Sequence, residues 1–70
     1  MKISARNQLK GILTEIKPGV VTAKLTIDIG NGNLLSSVIT MDSITDLNLK
    51  VGDEVFAIIK STEVMIGKQE

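Results

Sequence analysis

The sequence contains no cysteine, no histidine, no tryptophan and no tyrosine. Without cysteine it can form no disulfide, no thiolate zinc site and no cysteine nucleophile. Without histidine it lacks the commonest metal ligand and the commonest general base. Phe56 is the one aromatic residue, which is too few for a base-stacking platform. Neither sign of charge is in excess: eight basic and eight acidic residues cancel. No whole-chain field therefore draws the protein to nucleic acid or to an anionic membrane. Long apolar runs are missing too. The longest is the five residues from Val55 to Ile59, and Met1 to Arg6 has no apolar stretch of the signal-peptide kind. The expectation is a soluble, cytoplasmic chain with neither nucleic-acid nor membrane partner, and the lack of cysteine agrees with that compartment.

What is present is apolar for so short a chain: 43% of residues are hydrophobic and the mean hydropathy is positive, at +0.25. Seventy residues make a single domain, residues 1–70. At this size about 60% of the unfolded surface is buried on folding, so a lone monomer would be marginal. With disulfides and the usual metal ligands excluded, subunit association is the expected source of extra stability.

The apolar residues recur mostly with a period of two. Ile12, Thr14 and Ile16 alternate with Leu13, Glu15 and Lys17, up to Pro18-Gly19, a dipeptide suited to a type II turn. Val20 to Ile29 follows as a β-branched strand, with Val21, Ala23, Leu25, Ile27 and Ile29 on one face. Gly30-Asn31-Gly32-Asn33 reads as a second hairpin turn and Leu34 to Thr40 as a third strand. Between Asp42 and Leu49 the spacing turns helical, for two turns at most, with Thr40, Asp42 or Ser43 available as the cap. Lys50 to Asp53 is a turn. Glu54 to Ser61 is a fourth strand whose unbroken apolar centre predicts cover on both faces. Thr62 to Ile66 reads as a fifth, before a polar tail. The expected fold is all-β: a small OB-like five-stranded barrel with one short helix between the third and fourth strands.

No enzymatic constellation emerges. Lys60 and Ser61 are strand neighbours and so face opposite ways, which excludes a Ser–Lys pair. Asp42 and Asp46, four apart, read as a solvated helix start. What remains is a set of hydrogen-bond donors near the ends of elements: Ser4, Arg6, Thr40, Ser43 and Lys60. Arg6 is the only arginine, and its rigid fork of donors suits oxyanions. Ser4 and Arg6 share a face of an extended segment. Thr40 and Ser43 straddle a strand-to-helix junction, where free N–H groups favour anions. Lys60 closes the most apolar strand. Taken singly, Ser4 and Thr40 also read as strand-edge hydroxyls, Ser43 as a cap, and Arg6 and Lys60 as solvated surface. Periodicity alone does not bring the five together.

The run Ser4-Ala5-Arg6-Asn7-Gln8-Leu9-Lys10-Gly11 closely resembles the opening signature of the molbindins, small molybdate-binding proteins with Mop (TOBE-type) domains. Val38-Ile39-Thr40-Met41-Asp42-Ser43 continues the resemblance, and so do Leu47-x-Leu49-Lys50-x-Gly52-Asp53-Glu54-Val55 and Ala57-x-Ile59-Lys60-Ser61-Thr62-x-Val64. It covers essentially the whole chain. The resemblance implies an OB-like barrel and a homo-oligomer, for stand-alone members a hexamer built as a trimer of dimers. It also implies reversible binding of molybdate, and often tungstate, for storage or homeostasis, with no organic cofactor and no catalysis. Carried over by position, the oxyanion would be held by Ser4, Arg6, Thr40, Ser43 and Lys60, with the backbone N–H of Ile44 a further donor. Molybdenum would have no direct protein ligand. If Ser4 and Arg6 of one chain met Thr40, Ser43 and Lys60 of another, binding and assembly would be linked. Two other classes compete: a structural oligomerisation module whose anion site has lapsed, and an OB-like nucleic-acid-binding protein, which the zero net charge and single aromatic disfavour.

Overall fold

In the computed structural model, which describes residues 1–69, four strands form one antiparallel sheet. They are β1 (Asn7–Pro18), β2 (Thr22–Gly30), β3 (Asn33–Thr40) and β4 (Glu54–Ile59). Helix α1 (Met41–Asp46) lies between β3 and β4, and a single 3-10 turn, Ser61–Glu63, follows β4. Across the sheet the order is β3-β2-β1-β4. The sheet curls into a half-barrel whose two edge strands, β3 and β4, are not paired to each other.

β1 shapes that curl. Its first half, Asn7 to Ile12, pairs with β4, and its second half, Ile12 to Pro18, pairs with β2. At the changeover a bulge between Leu13 and Glu15 shifts the register. The extra residue turns Leu13 and Ile16 to the same side, so a strict two-residue alternation fails here. Leu13 becomes the one large side chain with no exposure, packed on Leu25 and Ile27 of β2. The turn before β4 clasps the bulge: the Leu13 N–H donates to the Asp53 carbonyl at 2.9 Å and the Gly52 N–H to the Leu13 carbonyl at 2.7 Å. Gly11 lies just before it. A Cβ there would stand 2.6 Å from the Asp28 carbonyl oxygen and 2.7 Å from Ile27 Cγ2, so only glycine lets β1 lie this close to β2.

Several expectations need correction. β1 is twice as long as the predicted Ile12–Lys17 strand, because its N-terminal half finds β4 as a partner. The turn at Pro18-Gly19 is not type II, since Gly19 does not have positive φ. Its N–H donates instead to the Thr22 carbonyl at 2.8 Å, and a Cβ on Gly19 would meet that same oxygen at 2.6 Å. The second hairpin matches its prediction, with Asn31 and Gly32 both left-handed, as a two-residue type I′ loop requires. The helix stops at Asp46 rather than Leu49. Asn48 is left-handed there, and bonds from Leu49 N–H to Ile44 O and from Asn48 N–H to Thr45 O, both 3.0 Å, close a Schellman end.

β4 is covered on one face only. Val55, Ala57 and Ile59 turn towards the core, while Phe56 is 50% and Ile58 40% exposed. There is no fifth strand among the described residues. Glu63 N–H donates to Lys60 O at 2.9 Å, which turns the chain away from β4, and Val64 onward runs without strand pairing. β-Branched residues favour a strand only where an edge is beside them to pair with. The fold is thus all-β with one short helix, four-stranded and open rather than a closed five-stranded barrel.

Candidate oxyanion site

The start of β1 and the end of β4 are paired, Asn7 against Ile59. That register sets the residues just outside them side by side. Ser4, Arg6 and Lys60 line one shallow cavity of about 470 Å³, together with Ile3, Ala5, Ile58, Ser61 and Thr62. No carboxylate lines it. All three of the predicted side chains are exposed, and among the described residues neither cation has an acidic partner, the one ion pair being Lys10–Glu54 at 3.7 Å. Ser61 and Thr62 add two hydroxyls that sequence reasoning did not assign. Their signal was adjacency to Lys60, masked by reading Ser61 as the end of the fourth strand and Thr62 as the start of a fifth.

Thr40, Ser43 and Ile44 form a second group at the start of α1. Thr40 is the N-cap, in extended conformation, and its Oγ1 accepts the Ser43 N–H at 3.0 Å. The same oxygen lies 2.8 Å from Ser43 Oγ. One hydroxyl donates to the other, so the pair keeps a single O–H to turn outward. Ile44 packs against the core cluster. Its N–H is the group an N-cap carbonyl takes as the first helical bond, so an anion would share it with Thr40. Asp42 stands in the same turn. Its carboxylate favours the helix start and would oppose an anion approaching on that side.

The two groups sit at opposite ends of β1. Thr40 pairs with Thr22, next to the Ala23–Pro18 pair that ends β1, whereas Lys60 follows the Ile59–Asn7 pair that begins it. At roughly 3.3 Å per residue the strand path between them is about 35 Å, bent at the bulge, in a molecule 40 Å along its longest axis. The cavity that gathers Ser4, Arg6 and Lys60 is not lined by Thr40, Ser43 or Ile44. Lys60 accordingly belongs with Ser4 and Arg6, not with the Thr40–Ser43 half as the sequence-based grouping had it. The reason is the β1–β4 register, which alternation patterns cannot give. Among the described residues no cluster of three or more acidic side chains is placed to hold a metal ion, and no helix is long and apolar enough to cross a membrane.

Comparison with known proteins places this geometry in context. The model of the TOBE domain matches residues 3–66. A probable molybdenum-pterin-binding protein of Haemophilus influenzae is 57% identical over 67 residues, spanning 96% of this chain and 97% of that one. Among solved structures, the apo form of MopII from Clostridium pasteurianum superposes with a TM-score of 0.90 at 49% identity, over 96% of this chain and 100% of that chain. A molybdate-binding protein from Sporomusa ovata also gives 0.90, at 46% identity, over 97% and 100%. At these identities over nearly the full length of both partners, the chain belongs to the TOBE-domain family, in the group of molybdenum-pterin-binding (Mop) proteins.

Proposed function

We propose that this protein binds molybdate as the intact tetrahedral dianion, serving storage and homeostasis in the cytoplasm, with tungstate as an alternative cargo. The observation that carries the reading is the cavity of Ser4, Arg6 and Lys60, lined by donors and by no carboxylate, in a chain whose relatives include a molybdate-binding protein. Molybdate near neutral pH has four acceptor oxygens and no proton to give. A site for it needs donors only. Hydroxyls, a guanidinium, an ammonium and backbone N–H groups meet that need, and the two cations offset the dianion's charge. Binding without chemistry suits a chain with neither histidine nor cysteine.

The complete site forms between subunits. Ser4, Arg6 and Lys60 of one chain supply the cationic half, joined by Ser61 and Thr62. Thr40, Ser43 and the Ile44 N–H of another supply the neutral half. Within one chain the two halves lie at opposite ends of β1, which supports a site shared between copies. The assembly is a homo-oligomer, a hexamer arranged as a trimer of dimers, and oxyanion binding stabilises it by mass action. Sulfate is rejected on size, since molybdate has the longer metal–oxygen bonds. Titration calorimetry with molybdate, tungstate, sulfate and phosphate tests the reading. Strong heats are expected from the first two alone, and no binding of either would overturn it.

A further inference from the structure

We infer that Gln8 is a positioning residue for the oxyanion cavity: its side-chain amide holds the Ala5 carbonyl out of the cavity and fixes the bend that presents Arg6. The inference rests on the oxyanion reading and adds to it a residue that touches no ion. The segment that supplies Ser4 and Arg6 is not the straight extension that would set both on one face. It bends at Ser4 and again at Arg6, and β1 begins only at Asn7. Outside the sheet ladder, a single hydrogen bond reaches Met1–Arg6 among the described residues, from Gln8 Nε2 to the Ala5 carbonyl at 2.9 Å. A carbonyl only accepts, so the NH2 end of the Gln8 amide is the end that faces it. The bond spans three residues, as the closing bond of a β-turn does, with a side-chain amide in place of the backbone N–H. Arg6 stands inside the loop it closes.

Ala5 lines the cavity beside Ser4, Arg6 and Lys60, and Gln8 does not. The Ala5 oxygen is thus drawn towards a residue outside the cavity. A peptide group is a rigid plane, so holding its oxygen fixes the whole Ala5–Arg6 linkage from which the guanidinium hangs. Released, that plane is free to turn its oxygen inward. A carbonyl oxygen facing molybdate is an acceptor set against a dianion that has nothing to donate. Gln8 keeps the lining to donors.

The pairing of β1 with β4 places Gln8 for this task. Its cross-strand partner is Ile58, which lines the cavity. Opposed residues share one face of a sheet, so the Gln8 stem lies alongside Ile58 while its amide reaches back along the chain. Gln8 is exposed and is no part of the core cluster. Its amide orders the Ser4–Arg6 segment before an ion arrives, and that ordering would otherwise be a cost of binding.

Calorimetry with sodium molybdate on the full-length protein tests this in two variants. Gln8→Met keeps the length of the side chain without its donor, and Gln8→Glu replaces the donor by a carboxylate. Gln8→Met should bind about threefold to tenfold more weakly than the parent, the contribution of one neutral hydrogen bond, by the same factor at low and at high salt. Gln8→Glu should lose more, and its excess loss should shrink as salt screens the added charge. In both, the Ala5 carbonyl carbon should move upfield in the NMR spectrum of the ligand-free protein, the mark of a lost hydrogen bond. The midpoint of denaturant unfolding and the mass of the assembly should stay those of the parent. Gln8→Met binding as tightly as the parent would overturn the inference and leave the oxyanion reading standing. So would an unmoved Ala5 carbonyl, or a weaker affinity that comes with a lowered midpoint or a smaller assembly, which would make Gln8 a residue of the fold alone. A parent that binds no molybdate would overturn the oxyanion reading, and the inference with it.

Discussion

Arg6 is the residue on which most turns. It is one arginine among eight basic residues, it is exposed, and it has no acidic partner among the described residues. Its fork of five donors can hold two oxygens of a tetrahedral anion at once, which an ammonium cannot do with the same geometry. Hydrogen bonds to a charged group contribute about 1.5–3 kcal/mol each, so Arg6→Ala should weaken molybdate binding by about tenfold to a hundredfold or more. Arg6→Lys should fall between, because it returns the charge without the fork. Calorimetry on the two variants checks the order, and parent-like affinity in Arg6→Ala would remove Arg6 from the site. The candidate donors were legible in the sequence as residue types. Ser4, Arg6, Thr40, Ser43 and Lys60 stand out as donors at the ends of elements in a chain without histidine or cysteine. Their grouping was not legible, because it depends on the pairing of Asn7 with Ile59, a contact made across more than fifty residues of chain.

At the scale of elements, β1 decides the architecture by serving two neighbours in turn. Gly11 sits where the first half of β1 crosses closest to β2. Gly11→Ala would press a methyl against the Asp28 carbonyl and Ile27 Cγ2, and strand backbone has little room to give. We predict destabilisation of about 1–3 kcal/mol, the usual cost of overpacking, measured as a lowered midpoint of denaturant unfolding at unchanged slope. An unchanged midpoint would mean that β1 slides freely over β2. The same strand shows where pattern reading works and where it stops. Alternation found the buried face of β2 at Ala23, Leu25 and Ile27 but not at Val21, which precedes the strand and is exposed. It lost the phase of β1 because the bulge after Leu13 inserts a residue that no period of two anticipates. It overran α1 because Asn48, read as part of the helix, is the left-handed residue that ends it. Thr62 to Ile66 has the composition of a strand, yet a strand exists only by pairing, and this segment pairs with neither edge of its own sheet.

The molecule as a whole leaves much of its apolar surface exposed. Its core is small, with Leu13, Leu25 and Ile27 at the centre. Phe56, Ile58, Met65 and Ile66 lie open to solvent. Its donors stand in two groups at opposite ends of a long bent strand. The high apolar content and zero net charge read from the sequence fit a chain that finishes itself against copies of itself, where like net charges would otherwise repel. Sites shared between copies are the arrangement proposed above for these two separated groups of donors.

That claim is tested most directly by complementation between two defective chains. Arg6→Glu places a carboxylate in the cationic half. Ser43→Glu places one in the neutral half, at the helix position where glutamate completes a capping box with Thr40 and so preserves the fold. Each variant alone should bind no molybdate. When the two are unfolded, mixed in equal amounts and refolded together, random assembly should restore roughly a quarter of the parent's sites, each made from the intact halves of two different chains. Calorimetry counts them. A quarter of the sites at parent affinity is the result this account predicts, and a mixture as silent as its components would show that both halves come from one chain and would contradict it.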